Sequence, residues 1–161
     1  MKFNYYNRAS SAILLVLCLG PFLSIGIFFL LVATGIVKLV ALLLFVLFFV
    51  FLYKIGGMKV TLDEKGVHYK SLLREKFLPW TDVQDILIVV RQRRSIPDYY
   101  KLDEWLQGGQ ACKSYFLLFR STSEFPANPM FMFSAPIDEE YISIQARKKV
   151  IELINRYYYH S

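Results

Sequence analysis

The sequence predicts a two-helix transmembrane hairpin followed by a small α+β domain, in which a curled antiparallel sheet is capped by a C-terminal helix. Residues 12–53 are almost entirely apolar, with Lys38 as their only charge. The rest of the chain alternates short β-forming runs with turn residues and ends in a helical pattern. We therefore expect a tail and hairpin in residues 1–56 and one domain in residues 57–161.

The apolar stretch divides into segments 12–33 and 36–53 at Thr34-Gly35. The segments hold 22 and 18 residues, close to the roughly 20 that a membrane-spanning helix needs. The pair Gly20-Pro21 is expected to kink the first helix. A cleaved signal peptide is the nearest alternative, but its apolar core is usually only about 7–15 residues and a second span follows here. A buried hairpin of a soluble protein would need a larger remaining chain to cover it.

Basic residues flank the hairpin on one side. Lys2 and Arg8 precede the first segment, Lys54 and Lys59 follow the second, and the connecting turn has only Lys38 nearby. Because Lys and Arg concentrate on the cytoplasmic side of spans, both termini are predicted to be cytoplasmic. The sequence thus predicts an integral protein of the cytoplasmic (inner) membrane.

The charge of the chain does not indicate a nucleic-acid partner. The net charge is +6, and residues 54–161 hold 16 of the 19 Lys and Arg residues together with all 13 acidic residues. Such a mildly basic domain lacks the concentrated charge of a nucleic-acid binder. It suits a domain held close to anionic lipid headgroups.

The domain is predicted to contain about six strands and a terminal helix. The predicted strands are residues 59–64, 67–73, 77–80, 85–92, 115–121 and 130–134. Asp63-Glu64-Lys65-Gly66 is expected to form the first turn. Because Pro79 lacks an amide donor, the third strand is expected to lie at an edge or to end at that point. A helical turn is predicted for residues 81–84, a short helix for 98–106, and the long C-terminal helix for 138–159.

The stretch 60–86 resembles the start of bacterial PH-like domains of small membrane proteins, the bPH and YcxB-like group. The element Leu78-Pro79-Trp80-Thr81-Asp82, with Ile86, carries the resemblance. It implies a PH-like fold, often with two preceding spans, but no activity. The lipid site of eukaryotic PH domains uses basic residues in the first hairpin, which is acidic here, so that site does not carry over.

Two clusters are candidate contact sites. Arg91, Arg93 and Arg94 end a predicted strand and can bind an anionic headgroup or a protein partner, or can be a solvated strand end. The aromatic residues Tyr99, Tyr100 and Trp105 form a candidate partner loop, with a packed satellite cluster as the alternative.

No catalytic, cofactor or metal site is predicted. Cys18, Cys112 and His68 lack partners at ligand spacing, and no phosphate-binding glycine loop occurs. The favoured function is a non-enzymatic, membrane-anchored module that binds a protein partner or assembles a membrane complex. Recognition of anionic lipid and neutralisation of a toxin by a membrane immunity protein are the alternatives.

Overall fold

The first five residues of the chain fold with the C-terminal domain and not with the apolar helices that follow them. In a computed structural model of the chain, one unit comprises Met1–Tyr5 and Lys59–Ser161, and the other comprises Tyr6–Met58. The structure describes residues 1–90, 98–108, 116–124 and 140–159, without the side chains of residues 17, 18 and 54.

Eight strands and five α-helices occur in the described residues. In chain order they are β1 (Lys2–Asn4), α1 (Arg8–Ile13), α2 (Gly20–Val32), α3 (Val37–Gly56), β2 (Lys59–Leu62), β3 (Gly66–Lys70), β4 (Glu75–Pro79), β5 (Asp85–Val90), β6 (Asp98–Lys101), α4 (Leu102–Gln107), β7 (Phe116–Arg120), β8 (Tyr141–Gln145) and α5 (Lys148–Tyr157). A π-helical segment, Leu14–Leu19, joins α1 to α2. A 3-10 turn, Trp80–Asp82, precedes β5.

The helical unit begins at a capped helix and changes hydrogen-bonding pattern before its proline. The Asn7 side chain accepts a hydrogen bond from the Ser10 amide at 2.7 Å, as expected of an N-cap. The π-helical segment ends directly before Gly20, and Pro21 occupies the first turn of α2. Because Pro21 has no amide proton, the regular helical ladder cannot continue through it.

Helices α2 and α3 pack against each other, with Gly26 of α2 beside Phe45 of α3. A Cβ added at the buried Gly26 would lie 3.5 Å from the Phe45 ring. The rings of Phe22 and Phe51 stack with centroids 5.9 Å apart. Among the described residues, one continuous helical stretch, Arg8–Val32, is long and apolar enough to cross a membrane by length and composition. The apolar part of α3, Val37–Tyr53, is shorter, so the two-span hairpin stays a prediction.

The first sheet is an antiparallel meander in the order β1-β2-β3-β4. Its inner face carries Val60, Leu62 and Val67, all fully buried. The turn between β2 and β3 forms as predicted, because the Asp63 carboxylate accepts hydrogen bonds from the amides of Lys65 and Gly66 at 3.0 and 3.1 Å. The predicted edge position of the strand that contains Pro79 is also confirmed.

The second sheet is antiparallel, in the order β6-β5-β7-β8. Its central strands carry fully buried apolar side chains on both faces, Ile88 and Phe119 on one and Val89 and Leu118 on the other. β5, the described part of the strand predicted for residues 85–92, is thus an inner strand of the sheet. One ion pair crosses the sheet: Asp85 lies opposite Arg120, and Arg120 Nη2 donates to the Asp85 carboxylate at 2.7 Å.

The N-terminal segment connects the two sheets. Phe3 pairs with Val60 in the first sheet, while the carbonyl of Tyr5 accepts a hydrogen bond from the amide of Gln145 in β8 at 3.2 Å. The Tyr5 hydroxyl also bonds the buried Ser143 hydroxyl at 3.0 Å. Arg147 donates to the carbonyls of Asn4 and Tyr5 and lies over the Phe3 ring. The prediction that these residues form a tail is therefore corrected.

The predicted C-terminal helix is too long at its start. Tyr141–Gln145 is a strand, and the helix covers Lys148–Tyr157 only. All five residues of the strand are buried, so both of its faces meet other side chains. The helix buries Val150, Ile151 and Ile154 and packs against β2. A C-terminal helix therefore closes an antiparallel β-domain, as predicted.

Two further predictions concern the segment between β5 and β7 and the strand before β8. The predicted helix 98–106 is wrong in its first half, since Asp98–Lys101 pairs with β5 as a strand and only Leu102–Gln107 is helical. The strand predicted for residues 130–134 lies outside the described residues.

Candidate functional site

The basic cluster predicted as a lipid or partner contact is Arg91, Arg93 and Arg94. It lies outside the described residues, directly after β5. The prediction for this cluster therefore stays a prediction.

The aromatic cluster predicted as a partner loop is held on the second sheet by β6 and α4. Tyr99 lies opposite Val89 and packs against the core formed by Leu87, Val89, Leu118 and Tyr141. Burial raises the pKa of the Tyr99 phenol above its ordinary value. Tyr99 is thus a half-buried side chain whose ring contributes to the domain core.

Tyr100 and Trp105 form the outer part of the same cluster. Their ring centroids are 5.1 Å apart with the planes tilted by 48°. Trp105 is only 7 % exposed, whereas Tyr100 is 41 % exposed. Trp105 therefore supports the position of Tyr100, and of the three predicted residues Tyr100 offers the largest surface to a partner.

The element that carries the family resemblance is built into the domain. The Trp80 indole donates to the Asp63 carbonyl at 2.8 Å, and its ring lies 6.0 Å from Phe119 and 5.8 Å from Tyr158. The 3-10 turn covers Trp80–Asp82, so it begins one residue before the helical turn predicted for residues 81–84 and is shorter. Trp80 thus ties the first turn of the domain to its second sheet and C-terminal end, which is a structural role.

A different feature, the turn between β3 and β4, exposes two large apolar side chains. Leu72 is 85 % exposed and Leu73 is 81 % exposed. The turn is closed on both sides of them: the Ser71 amide donates to the Arg74 carbonyl at 2.8 Å, and the Arg74 amide donates to the Ser71 hydroxyl at 3.0 Å. The two leucines are therefore presented by an ordered turn, which we call the leucine tip (Ser71–Arg74).

Basic side chains surround the leucine tip. Lys70, Arg74 and Lys76 belong to the hairpin itself, and Lys59 lies opposite Lys70 on the neighbouring strand. Glu75 is the acidic residue of this group, and its carboxylate contacts Lys70 at 3.3 Å and His68 at 2.7 Å. A hydrogen bond from Lys70 and its charge, with a smaller contribution from His68, lower the pKa of Glu75 below its ordinary value. The group keeps a net positive charge.

The basic excess of the first sheet lies at one of its two ends. The register aligns Asn4, Lys59, Lys70 and Glu75 at the end that carries the leucine tip. The turn at the other end contains Asp63 and Glu64. Sequence reasoning missed this arrangement because it placed Leu72 and Leu73 inside a strand; the polar residues Ser71 and Arg74 on either side of them were the available signal for a turn.

No group of three or more His, Cys, Asp or Glu side chains that could hold a metal ion occurs in the described residues. Comparisons with family models, with curated proteins and with solved structures found no match for this chain.

Proposed function

We propose that this protein is a membrane-anchored, non-enzymatic interaction module. In this proposal the helical unit crosses the cytoplasmic (inner) membrane twice, as a hairpin. The β-domain is a PH-like domain at the cytoplasmic face, where it binds a protein partner or helps to assemble a membrane complex.

The observation that carries this proposal is the pairing of β1 with β2. Asn4, which precedes the apolar helices, lies opposite Lys59, which follows them. Two strands of one sheet must be on the same side of a bilayer, since a sheet edge cannot extend through lipid. If Arg8–Val32 crosses the membrane, α3 has to cross back. This requirement supports two spans although α3 has the shorter apolar stretch.

The surface of the helices supports a lipid environment. Large apolar side chains are exposed along both α2 and α3 and at their connection, among them Leu30, Leu31, Val32, Ile36, Leu39, Leu42, Leu43, Val46 and Phe49. A soluble protein rarely exposes a continuous apolar surface of this extent. The Ser24 hydroxyl donates to the Gly20 carbonyl at 2.9 Å, so this polar group has a partner within its own helix, as a lipid environment requires.

The distribution of basic residues supports the orientation. Lys2 and Lys59 lie in the β-domain close to the points where the chain leaves it and returns to it, whereas the connection between α2 and α3 has only Lys38 nearby. An excess of Lys and Arg marks the cytoplasmic side of membrane spans. This distribution supports the cytoplasmic position of the β-domain in the proposal.

Partner binding is tested by photo-crosslinking of the full-length protein in native membranes. Position 100 is replaced by p-benzoylphenylalanine, a residue that keeps the ring contact with Trp105 and leaves the photoreactive group at the exposed part of the aromatic cluster. We expect a crosslinked product from this position. The matched control carries the same residue at the exposed Thr81, in the 3-10 turn. Equal yields from positions 100 and 81 would show that the aromatic cluster is not a partner site.

A further inference from the structure

We propose that the leucine tip inserts into the surface of an anionic bilayer and holds the β-domain against the membrane. This inference rests on the proposed function, because it takes the helices to be in the bilayer. It assigns a lipid contact to residues different from the arginine cluster that the sequence indicated.

The first argument is the exposure of the tip. Leu72 and Leu73 are adjacent, more than four-fifths exposed, and fixed by the hydrogen bonds between Ser71 and Arg74. Two adjacent leucines in water carry an unfavourable hydration free energy that insertion between lipid headgroups removes. Since the turn is already ordered by its own hydrogen bonds, insertion requires little further loss of backbone entropy.

The second argument is charge complementarity. Lys59, Lys70, Arg74 and Lys76 surround the tip, and Glu75 is the acidic side chain among them. Long basic side chains beside inserted apolar residues can place their charges among anionic headgroups. The turn at the opposite end of the sheet contains Asp63 and Glu64 together with Lys65, so of the two turns the leucine tip has the basic excess.

The third argument is the position of the tip in the chain. The tip follows Lys70, which pairs with Lys59, and only Gly57 and Met58 separate Lys59 from the end of α3. Three peptide steps span at most about 11 Å. With α3 in the bilayer, the chain therefore limits how far the sheet end that carries Lys59 and the leucine tip can move from the headgroups.

The test uses the full-length chain in vesicles, with Cys18 and Cys112 replaced by alanine. A single cysteine at position 73 carries an environment-sensitive nitrobenzoxadiazole dye, and the control carries it at position 64, at the other end of the same sheet. Vesicles contain phosphatidylcholine alone or with phosphatidylglycerol, and a nitroxide-labelled lipid serves as quencher. We expect blue-shifted, quenched emission from position 73 in anionic vesicles, a loss of quenching with added salt, and unquenched emission from position 64.

A second variant tests whether insertion of the leucine tip needs the basic side chains around it. Lys70→Gln, Arg74→Gln and Lys76→Gln are combined in the chain labelled at position 73, and we expect the quenching to fall towards that of neutral vesicles. Equal quenching at positions 73 and 64, or quenching at position 73 that is the same in neutral and anionic vesicles at every salt concentration, would overturn the proposal. A blue shift without quenching would overturn it in favour of a protein partner or a second copy of the chain.

Failure of the anchor is distinguished from failure of the tip in the same vesicles. Extraction with alkaline carbonate releases peripheral proteins and leaves integral ones. A chain that stays in the bilayer while position 73 remains in water refutes the leucine tip alone. A chain that is released refutes the two-span anchor and, with it, the proposal that rests on the anchor.

Discussion

A protein that begins at Gly57 should fail to fold, whereas the same domain with residues 1–5 linked in front of it should fold cooperatively. Phe3 and Tyr5 are buried in the domain, and Tyr5 bonds both Gln145 and Ser143. Loss of a buried aromatic side chain typically costs about 3–5 kcal/mol. Loss of two, together with a strand, approaches the whole stability of a small domain, about 5–15 kcal/mol.

The register of the first sheet brings residues 1–5 close to the start of the rest of the domain, so the two segments can be linked directly. Because Asn4 lies opposite Lys59, a short Gly-rich linker can replace the helical unit and connect residue 5 to residue 58. Circular dichroism and guanidinium unfolding of the two proteins provide the measurement. Phe3→Ala in the linked domain should lower the free energy of unfolding by about 3–5 kcal/mol. Cooperative unfolding of the protein that begins at Gly57 would contradict the assignment of β1 to the domain.

The pairing itself can be checked with a disulfide. Met1 and Leu62 exchange two backbone hydrogen bonds, which makes their neighbours Lys2 and Thr61 a non-hydrogen-bonded pair with closely spaced Cα atoms. After mild oxidation of native membranes, Lys2→Cys/Thr61→Cys should form a crosslink in a chain without other cysteines. Lys2→Cys/His68→Cys, which joins positions two strands apart, roughly 10 Å, should not.

A second large loss of folding stability is expected when the ion pair between Asp85 and Arg120 in the second sheet is broken. The Arg120 side chain is 6 % exposed and the Asp85 side chain 33 %. Asp85→Asn removes the charge opposite a buried guanidinium, a change that typically costs about 3–5 kcal/mol. Since water reaches Asp85, and since Arg120 also donates to the Ser123 carbonyl at 2.8 Å, we expect the lower end of that range.

The measurement is guanidinium unfolding of the linked domain with Asp85→Asn. Arg120→Met combined with Asp85→Leu should recover part of the loss, because a buried ion pair replaced by apolar side chains leaves no charge without a partner. The matched control is Lys70→Gln at the exposed Lys70–Glu75 pair, where we expect no measurable change. An effect at Asp85 no larger than at Lys70 would show that the buried pair is not important for folding.

Local patterns were sufficient for most strands. Alternation of apolar residues predicted β2 and β3, and the acidic turn with Gly66 predicted their connection. A run of β-branched residues predicted the central strand β5. These elements are confirmed because each is specified by neighbours in sequence: a side chain that alternates between a core and a solvent face, or a turn residue with its own hydrogen bonds.

Elements that depend on distant partners were missed. β1 is three residues long, and its partner Lys59–Leu62 comes after the whole helical unit, so its burial has no local signal beyond the alternation of Phe3 and Tyr5 with polar residues. Strand β8 contains Ser143 and Gln145, which are buried and which contact Tyr5 and pair with β7. The polar residues interrupt the apolar run, which allowed a helical pattern to be extended through Tyr141 and Ile144.

The candidate sites, like the strands, were predicted only where local sequence was informative. Residue type alone was enough to single out the arginine cluster and the aromatic cluster, but only the fold distinguishes the exposed Tyr100 from the buried Trp105. The leucine tip was missed because a Leu-Leu pair beside a β-strand is read as part of the strand. Its exposure becomes visible only once Ser71 and Arg74 are seen to close the turn.

The central claim, a two-span anchor that returns the chain to its own first strand, is tested most directly by the sidedness of three single cysteines. Thr34→Cys, Lys2→Cys and Glu64→Cys are introduced separately into full-length protein without Cys18 and Cys112, in intact cells. A membrane-impermeant maleimide should label position 34 from outside, and positions 2 and 64 only after the membrane is opened. Labelling of positions 2 and 64 from opposite sides, or protection of position 34 together with both, would contradict the account.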